Sequence, residues 1–238
     1  MTAPAEPRAR EVLAHGELEI HGRLPDASNT ALLVTARLGA DEVLAIYKPE
    51  RGERPLWDFP PGLWRREVAA FELDTLLGAG CVPLTVARDD PTYGPGSMQR
   101  WVREDGVEHY LTLRDDPALA AWFRSLAAFD VVANNTDRKS GHVLLEDGRC
   151  WAIDNGLCFH VDDKLRTVVW EFAGDPLSAA LRARLCEVAD GDVDVLRGLL
   201  APEEVDAPRR RARELAEAGA LPYPDEDRPY PPWPWPIV

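Results

Sequence analysis

The stretch 129-FDVVANNTDRKSGHVLLEDGRCWAIDNGLCF-159 decides how this chain is read. It carries two acidic sites, Asp137 and Asp154, each in a short polar turn bounded by apolar segments. Two runs with the look of buried strands, Val143–Leu145 and Cys150–Ile153, lie between them. Asp147-Gly148 supplies a hairpin turn, because both residue types tolerate positive φ. The hairpin brings two carboxylates to one end. Such a pair is suited to holding a metal–phosphate complex and to orienting a hydroxyl for attack. His142 sits between them as the unusual residue.

Upstream, Leu18-Glu19-Ile20 reads as a short strand after a frayed segment, residues 1–10. Ala31–Leu38 and Glu42–Lys48 read as a hairpin about Gly39-Ala40-Asp41. Pro49–Pro61 is a loop with four prolines. It holds Leu56, Trp57 and Phe59, which with Trp64 form a patch or cover the sheet. Leu63–Leu77 has helical spacing and ends at Gly78 and Gly80. Val82–Ala87 and Ser97–Val102 read as two more strands. The first hundred residues are therefore a small antiparallel sheet with one helix.

Beyond Val102 helices dominate: Pro117–Val132, Pro176–Val188, Val193–Leu200 and Pro202–Ala218. The Arg209–Arg213 run reads as a solvated helix face. The tail LPYPDEDRPYPPWPWPIV excludes a regular helix or central strand. Its Trp233, Trp235 and Ile237 call for packing somewhere, as across its own domain.

The 238 residues carry 27 Lys and Arg against 41 Asp and Glu, a net charge of −14. That argues against nucleic acid as a partner, which needs a basic footprint. No apolar run approaches the roughly 20 residues that span a bilayer. The four cysteines match no zinc spacing and read as buried free thiols in a reducing compartment. A cytoplasmic protein without stable membrane insertion is the expectation.

A strand-rich part, a connector and a helical part with two acidic turns outline a two-lobed, protein-kinase-like α+β fold. Residues 1–102 would be the small antiparallel-sheet lobe and residues 103–238 the mainly helical lobe. Asn135-Thr136-Asp137-Arg138 and Ala152-Ile153-Asp154-Asn155-Gly156-Leu157 closely resemble the phosphatidylinositol 3-/4-kinase superfamily. The nearest resemblance is to the type II phosphatidylinositol 4-kinases, in their short actinobacterial branch. Gly96-Ser97-Met98-Gln99 and Arg66-Glu67-Val68-Ala69-Ala70-Phe71 are similar to that family's hinge approach and small-lobe helix.

The resemblance implies ATP, with Mg²⁺ or Mn²⁺, and transfer of a phosphate to an unidentified hydroxyl acceptor. It implies that Lys48 holds the phosphates and that Glu67 holds Lys48, with Asp74 as the rival partner. Ser28 and Asn29 would lie in the phosphate-covering turn. Gln99, Arg100, Trp101 and Val102 would form the hinge, with Ile46 and Ile153 as walls for the adenine. Asp137 would be the catalytic carboxylate, with Arg138 beside it, and Asp154 the metal ligand. Trp170-Glu171-Phe172 is similar to a segment that helps select substrate.

Position 142 departs from the family, which has a metal-binding asparagine there. His142 would bond a phosphate oxygen in place of the second metal, or ligate a softer ion such as Mn²⁺. Alternatively, the site runs on one metal, or the chain is a pseudokinase that holds nucleotide and transfers nothing. A third chemistry, transfer of AMP, needs nucleotide bound in reverse. The lipid-anchor cysteines of type II enzymes have no counterpart in the Glu50–Leu63 loop. The acceptor therefore stays open between an inositol lipid, a protein Ser/Thr and a small polyol.

Overall fold

The computed structural model describes residues 4–25, 29–103, 106–225 and 227–238. Five antiparallel strands form the first part: β1 (Glu17–Arg23), β2 (Leu32–Leu38), β3 (Asp41–Pro49), β4 (Thr85–Asp90) and β5 (Gly94–Arg100). Their order is β1-β2-β3-β5-β4. Strand alternation decides the inner face. Val34 pairs with Ala45 and Ala36 with Val43, and all four are buried.

Two helices pack on this sheet. One is α2 (Leu63–Leu77), ended by Gly78 at φ 62. The other is α1 (Glu6–His15), where fraying was expected. Pro7 lies in its first turn, where the missing N–H is no loss. Val12 and Leu13 are fully buried, and α1 lies against β2 and β4. The strand expected over Val82–Ala87 begins only at Thr85. Pro83 lacks an N–H for the ladder, while Asp90 closes the far turn by accepting the Thr92 and Tyr93 N–H groups.

After β5 come α3 (Tyr110–Leu113), α4 (Ala120–Ala133), and the hairpin β6 (Val143–Glu146) and β7 (Arg149–Ala152). Asp147 at φ 50 and Gly148 at φ 79 make its two-residue turn. Then follow α5 (Ala179–Asp190), α6 (Asp194–Arg197) and α7 (Pro202–Ala218). On α4, Phe123, Leu126 and Phe129 recur every three residues and are fully buried.

A polar knot lies inside this apolar frame. Arg138 is fully buried, and its guanidinium donates to Asp130, Asn155 Oδ1 and the Ile153 carbonyl. Asp130 also accepts from the Thr167 hydroxyl. A short parallel bridge between Arg138 and Thr167 passes over it.

The tail packs by main-chain bonds more than by its tryptophans. The Pro232 carbonyl accepts from Thr167 N–H and Trp170 Nε1, and the Ile237 carbonyl from Ser140 N–H. Trp235 stays 85% exposed. The proline-loop patch also divides: Phe59 and Trp64 are buried, while Leu56 and Trp57 face outward. The four cysteines are free, with Cys81, Cys150 and Cys158 buried and Cys186 exposed. The Arg209–Arg213 run is not wholly a solvated face, because Arg211 turns inward. Among the described residues no helix is long and apolar enough to cross a membrane.

Candidate active site

Three elements converge on one ammonium. Strand β3 delivers Lys48, the second turn of α2 delivers Glu67, and the turn after β7 delivers Asp154. Lys48 Nζ donates to Glu67 Oε1 at 2.5 Å and to Asp154 Oδ1 at 2.9 Å. Glu67 uses its other oxygen to accept the Asn155 N–H at 3.0 Å. It thus ties α2 to the turn that aims Asp154. Asp74, the rival, is at the far end of α2 and accepts the Cys81 N–H instead.

Asp154 has φ 57, a left-handed conformation that non-glycine residues seldom adopt. The turn projects its carboxylate half-exposed into the cleft. The Lys48 ammonium holds the Asp154 carboxyl well below the usual carboxylate range. Burial opposes the charge on Lys48, but Asp154 and Glu67 outweigh it and raise its pKa.

His142 ends a 3-10 turn, Ser140–His142, and its Nε2 faces Asp154 Oδ2 at 3.5 Å. Its Nδ1 accepts the Lys139 N–H at 3.3 Å. The ring proton is therefore assigned to Nε2. With that proton in place the nitrogen facing Asp154 is a donor. Burial holds the imidazole pKa down at about 4.

That shift gives a stability prediction. Unfolded His142 takes up its proton near the ordinary imidazole value of 6.5 and folded His142 near 4. Between these values the unfolded chain binds more protons, so stability falls as pH falls. The loss is up to about 3 kcal/mol. Asp74, raised to about 6 by burial, drives an opposite slope. Urea unfolding of wild type and His142→Asn at pH 7 and 4.5 isolates the histidine. The stability difference between the two proteins should narrow at pH 4.5.

Asp137 is on the same side of the hairpin. Burial raises its pKa, and the ammonium of Lys139, 2.9 Å from Oδ2, opposes that. Lys139 went unmarked in the sequence, although a cation two residues after the candidate catalytic acid was the available signal. Arg138 does not line the cleft beside Asp137, because its guanidinium is spent on Asp130, Ile153 and Asn155.

The residues expected to form the hinge divide between the sheet and the corner that follows it. Gln99 is a ladder residue opposite Ile46 and Thr85, and its side chain donates to the Thr85 hydroxyl. The Arg100 N–H goes to the Leu84 carbonyl and the Trp101 N–H to Leu44. The Arg103 N–H and the Arg100 guanidinium both bond Glu146 of β6, another residue unmarked in the sequence. Among the described residues, the Val102 N–H makes no hydrogen bond. Ile46 flanks this corner, and the Ile153 N–H donates to the His142 carbonyl. Asn29 Oδ1 accepts the Arg54 N–H, and Ser28 lies outside the described residues.

Further ties join the two parts. Asp58 of the proline loop pairs with Lys164 at 3.0 Å, and Arg66 of α2 with Glu204 of α7. Among the described residues no group of three or more His, Cys, Asp or Glu side chains is placed to hold a metal.

The whole arrangement is a kinase-like α+β fold. Solved structures with it include the Golgi casein kinase with Mn/ADP bound, at TM-score 0.58 and 14% identity. The match covers 94% of this chain and 80% of that one. Fam20 of hydra with sugar matches at TM-score 0.55 and 14% identity, over 91% of this chain and 89% of the other. No family model matches the chain. Protein Rv2133c of Mycobacterium tuberculosis is 38% identical over 262 aligned positions, covering 94% of both proteins. The chain belongs to the same family as Protein Rv2133c.

Proposed function

We propose that this cleft transfers the γ-phosphate of ATP to a hydroxyl acceptor. The observation that carries the reading is the Lys48 ammonium clamped between Glu67 and the half-exposed Asp154. Such a clamp puts a fixed positive charge beside an ionised oxygen ligand, as phosphate and a hard ion require.

Asp154 fits one divalent ion, with phosphate oxygens and water completing the shell. When bound, Mg²⁺ or Mn²⁺ would neutralise phosphate charge. The chain's own side chains do the rest. Lys48 holds the phosphates, and Glu67 fixes Lys48. The Val102 N–H faces the adenine edge, between Ile46 and Ile153. His142 Nε2–H donates to a phosphate oxygen, in the place of a second ion. Asp137 orients the acceptor hydroxyl and takes its proton, while Lys139 keeps that carboxylate ionised. Arg138 positions the Asp137 loop from below. Catalysis is then positioning plus charge neutralisation.

The motifs around Asp137 and Asp154 favour a phosphatidylinositol 3-/4-kinase-like enzyme, with residues 1–102 and 103–238 as its lobes. The acceptor is an inositol lipid, a protein Ser/Thr or a small polyol, met in the cytoplasm. The shared fold of the Golgi casein kinase, solved with Mn and ADP, is the frame for the nucleotide part.

The experiment is transfer from ATP labelled at the γ or the α position into a lysate of the source cells, with lipids and proteins resolved separately. Label from the γ position alone is the expected result. Label from the α position would mean nucleotidyl transfer instead. The Nε2 proton of His142, which leaves no ligand for a second ion, favours a second reading as a pseudokinase. Saturable ATP binding with no label in any fraction would establish that reading.

A further inference from the structure

A cavity of about 380 Å³ opens between α7, the segment Asp163–Trp170 and the tail, and no residue of the Lys48 cleft lines it. Leu165, Trp170, Leu215 and Tyr223 give it apolar walls. Three acids also line it, and each has a basic neighbour. Arg228 bonds Asp163 and Asp225, and Glu214 lies 3.9 Å from Arg210.

Arg211 is the exception. It is 7% exposed, and among the described residues no carboxylate pairs with it. Nη2 donates to the carbonyls of His160 at 2.7 Å and Val161 at 3.1 Å. Nη1 is buried without a hydrogen-bond partner. Removing an ion from water without a counter-ion costs several kcal/mol. Burial accordingly pulls the Arg211 pKa down to about 10. A guanidinium at that cost, with a donor unused and a cavity at its side, is suited to an anion. An oxyanion seated in the cavity beside this guanidinium would supply the missing charge.

The walls then define the rest of the ligand. A bare inorganic ion would leave Trp170, Leu165 and Leu215 facing an unfilled space. A volume near 380 Å³ falls in the range of sites for small organic molecules. We propose that this cavity binds a small organic oxyanion, its carboxylate or phosphate head on Arg211 and its apolar body against Trp170 and Leu215. The site is independent of the chemistry assigned to the Lys48 cleft.

The test titrates phenyl phosphate, phenylacetate and inorganic phosphate into the full chain, read by calorimetry and thermal shift. Phenyl phosphate or phenylacetate should bind saturably. Inorganic phosphate should bind about tenfold more weakly or worse, since it buries no apolar surface. Arg211→Met removes the partner of the head group. Ala218→Trp fills the cavity mouth from an exposed position. Each should weaken binding of the phenyl probe by about tenfold or more. Arg213→Met, on the same helix but paired with Asp190 at the surface, should bind as wild type. Lys48→Met should also bind as wild type, which separates this cavity from the nucleotide cleft. If Arg211→Met does not fold, Ala218→Trp decides alone. No saturable binding by wild type up to about 10 mM would overturn the proposal. So would binding that survives Ala218→Trp and is lost in Lys48→Met.

Discussion

Asp154→Asn should lower ATP-dependent transfer at least about a thousandfold while leaving the fold intact. The substitution keeps the shape of the side chain and removes its charge. Among the described residues the other side chains of the cleft are committed elsewhere. Glu67 is committed to Lys48 and to the Asn155 N–H, Asp137 to Lys139, and the nitrogen of His142 facing the site carries a proton. Stability should hardly move. Asp154 is half-exposed, and Lys48 keeps Glu67 as its partner. A melting temperature within about 2 °C of wild type is expected, since a half-exposed ion pair contributes little. Comparing transfer rate with melting temperature separates the two effects. Undiminished transfer by this variant would remove Asp154 from the chemistry.

Arg138→Met should do the reverse, with its main effect on stability. It strands Asp130, fully buried, with one hydroxyl donor from Thr167 where a guanidinium had been. Breaking one side of a buried pair costs about 3–5 kcal/mol. For a chain of this size that is a fall in melting temperature of roughly 6–20 °C. Arg138→Lys should rescue little. One ammonium cannot reach Asp130, Asn155 and the Ile153 carbonyl together, as the planar fork does. Urea unfolding of both variants measures this. A loss under about 1 kcal/mol in Arg138→Met would mean the knot is not structural.

These two residues also mark how much was legible in the sequence. The hairpin was, because Asp147-Gly148 permits little else between two apolar runs. The convergence of Lys48, Glu67 and Asp154 followed from placing them on a strand, a helix and a turn of a known frame. The burial of Arg138 was not legible. An arginine beside an acid reads as a surface pair, and only the packing of α4 brings Asp130 beneath it.

The main-chain partners of Arg100 and Trp101 were not legible, because their N–H groups go to the Leu84 and Leu44 carbonyls, far away in sequence. Helix α1 was missed because Pro4, Pro7 and several charges look like a frayed end. Its inward face rests on Val12 and Leu13, too few for a period to stand out. The state of His142 depends on one backbone N–H, from Lys139, that no spacing rule could supply. Arg211 looked like its solvated neighbours in the Arg209–Arg213 run. Its inward turn is set by the carbonyls of His160 and Val161, 50 residues away in sequence.

The most direct measurement is a calorimetric titration of ATP into the full chain, with and without Mg²⁺ or Mn²⁺, beside Lys48→Met and Asp154→Asn. Wild type should bind ATP far more tightly with the ion. Lys48→Met should bind weakly under both conditions, and Asp154→Asn should lose the benefit of the ion. Equal binding by all three proteins, indifferent to metal, would contradict the assignment of this cleft to metal–ATP. Absence of binding would contradict it as well.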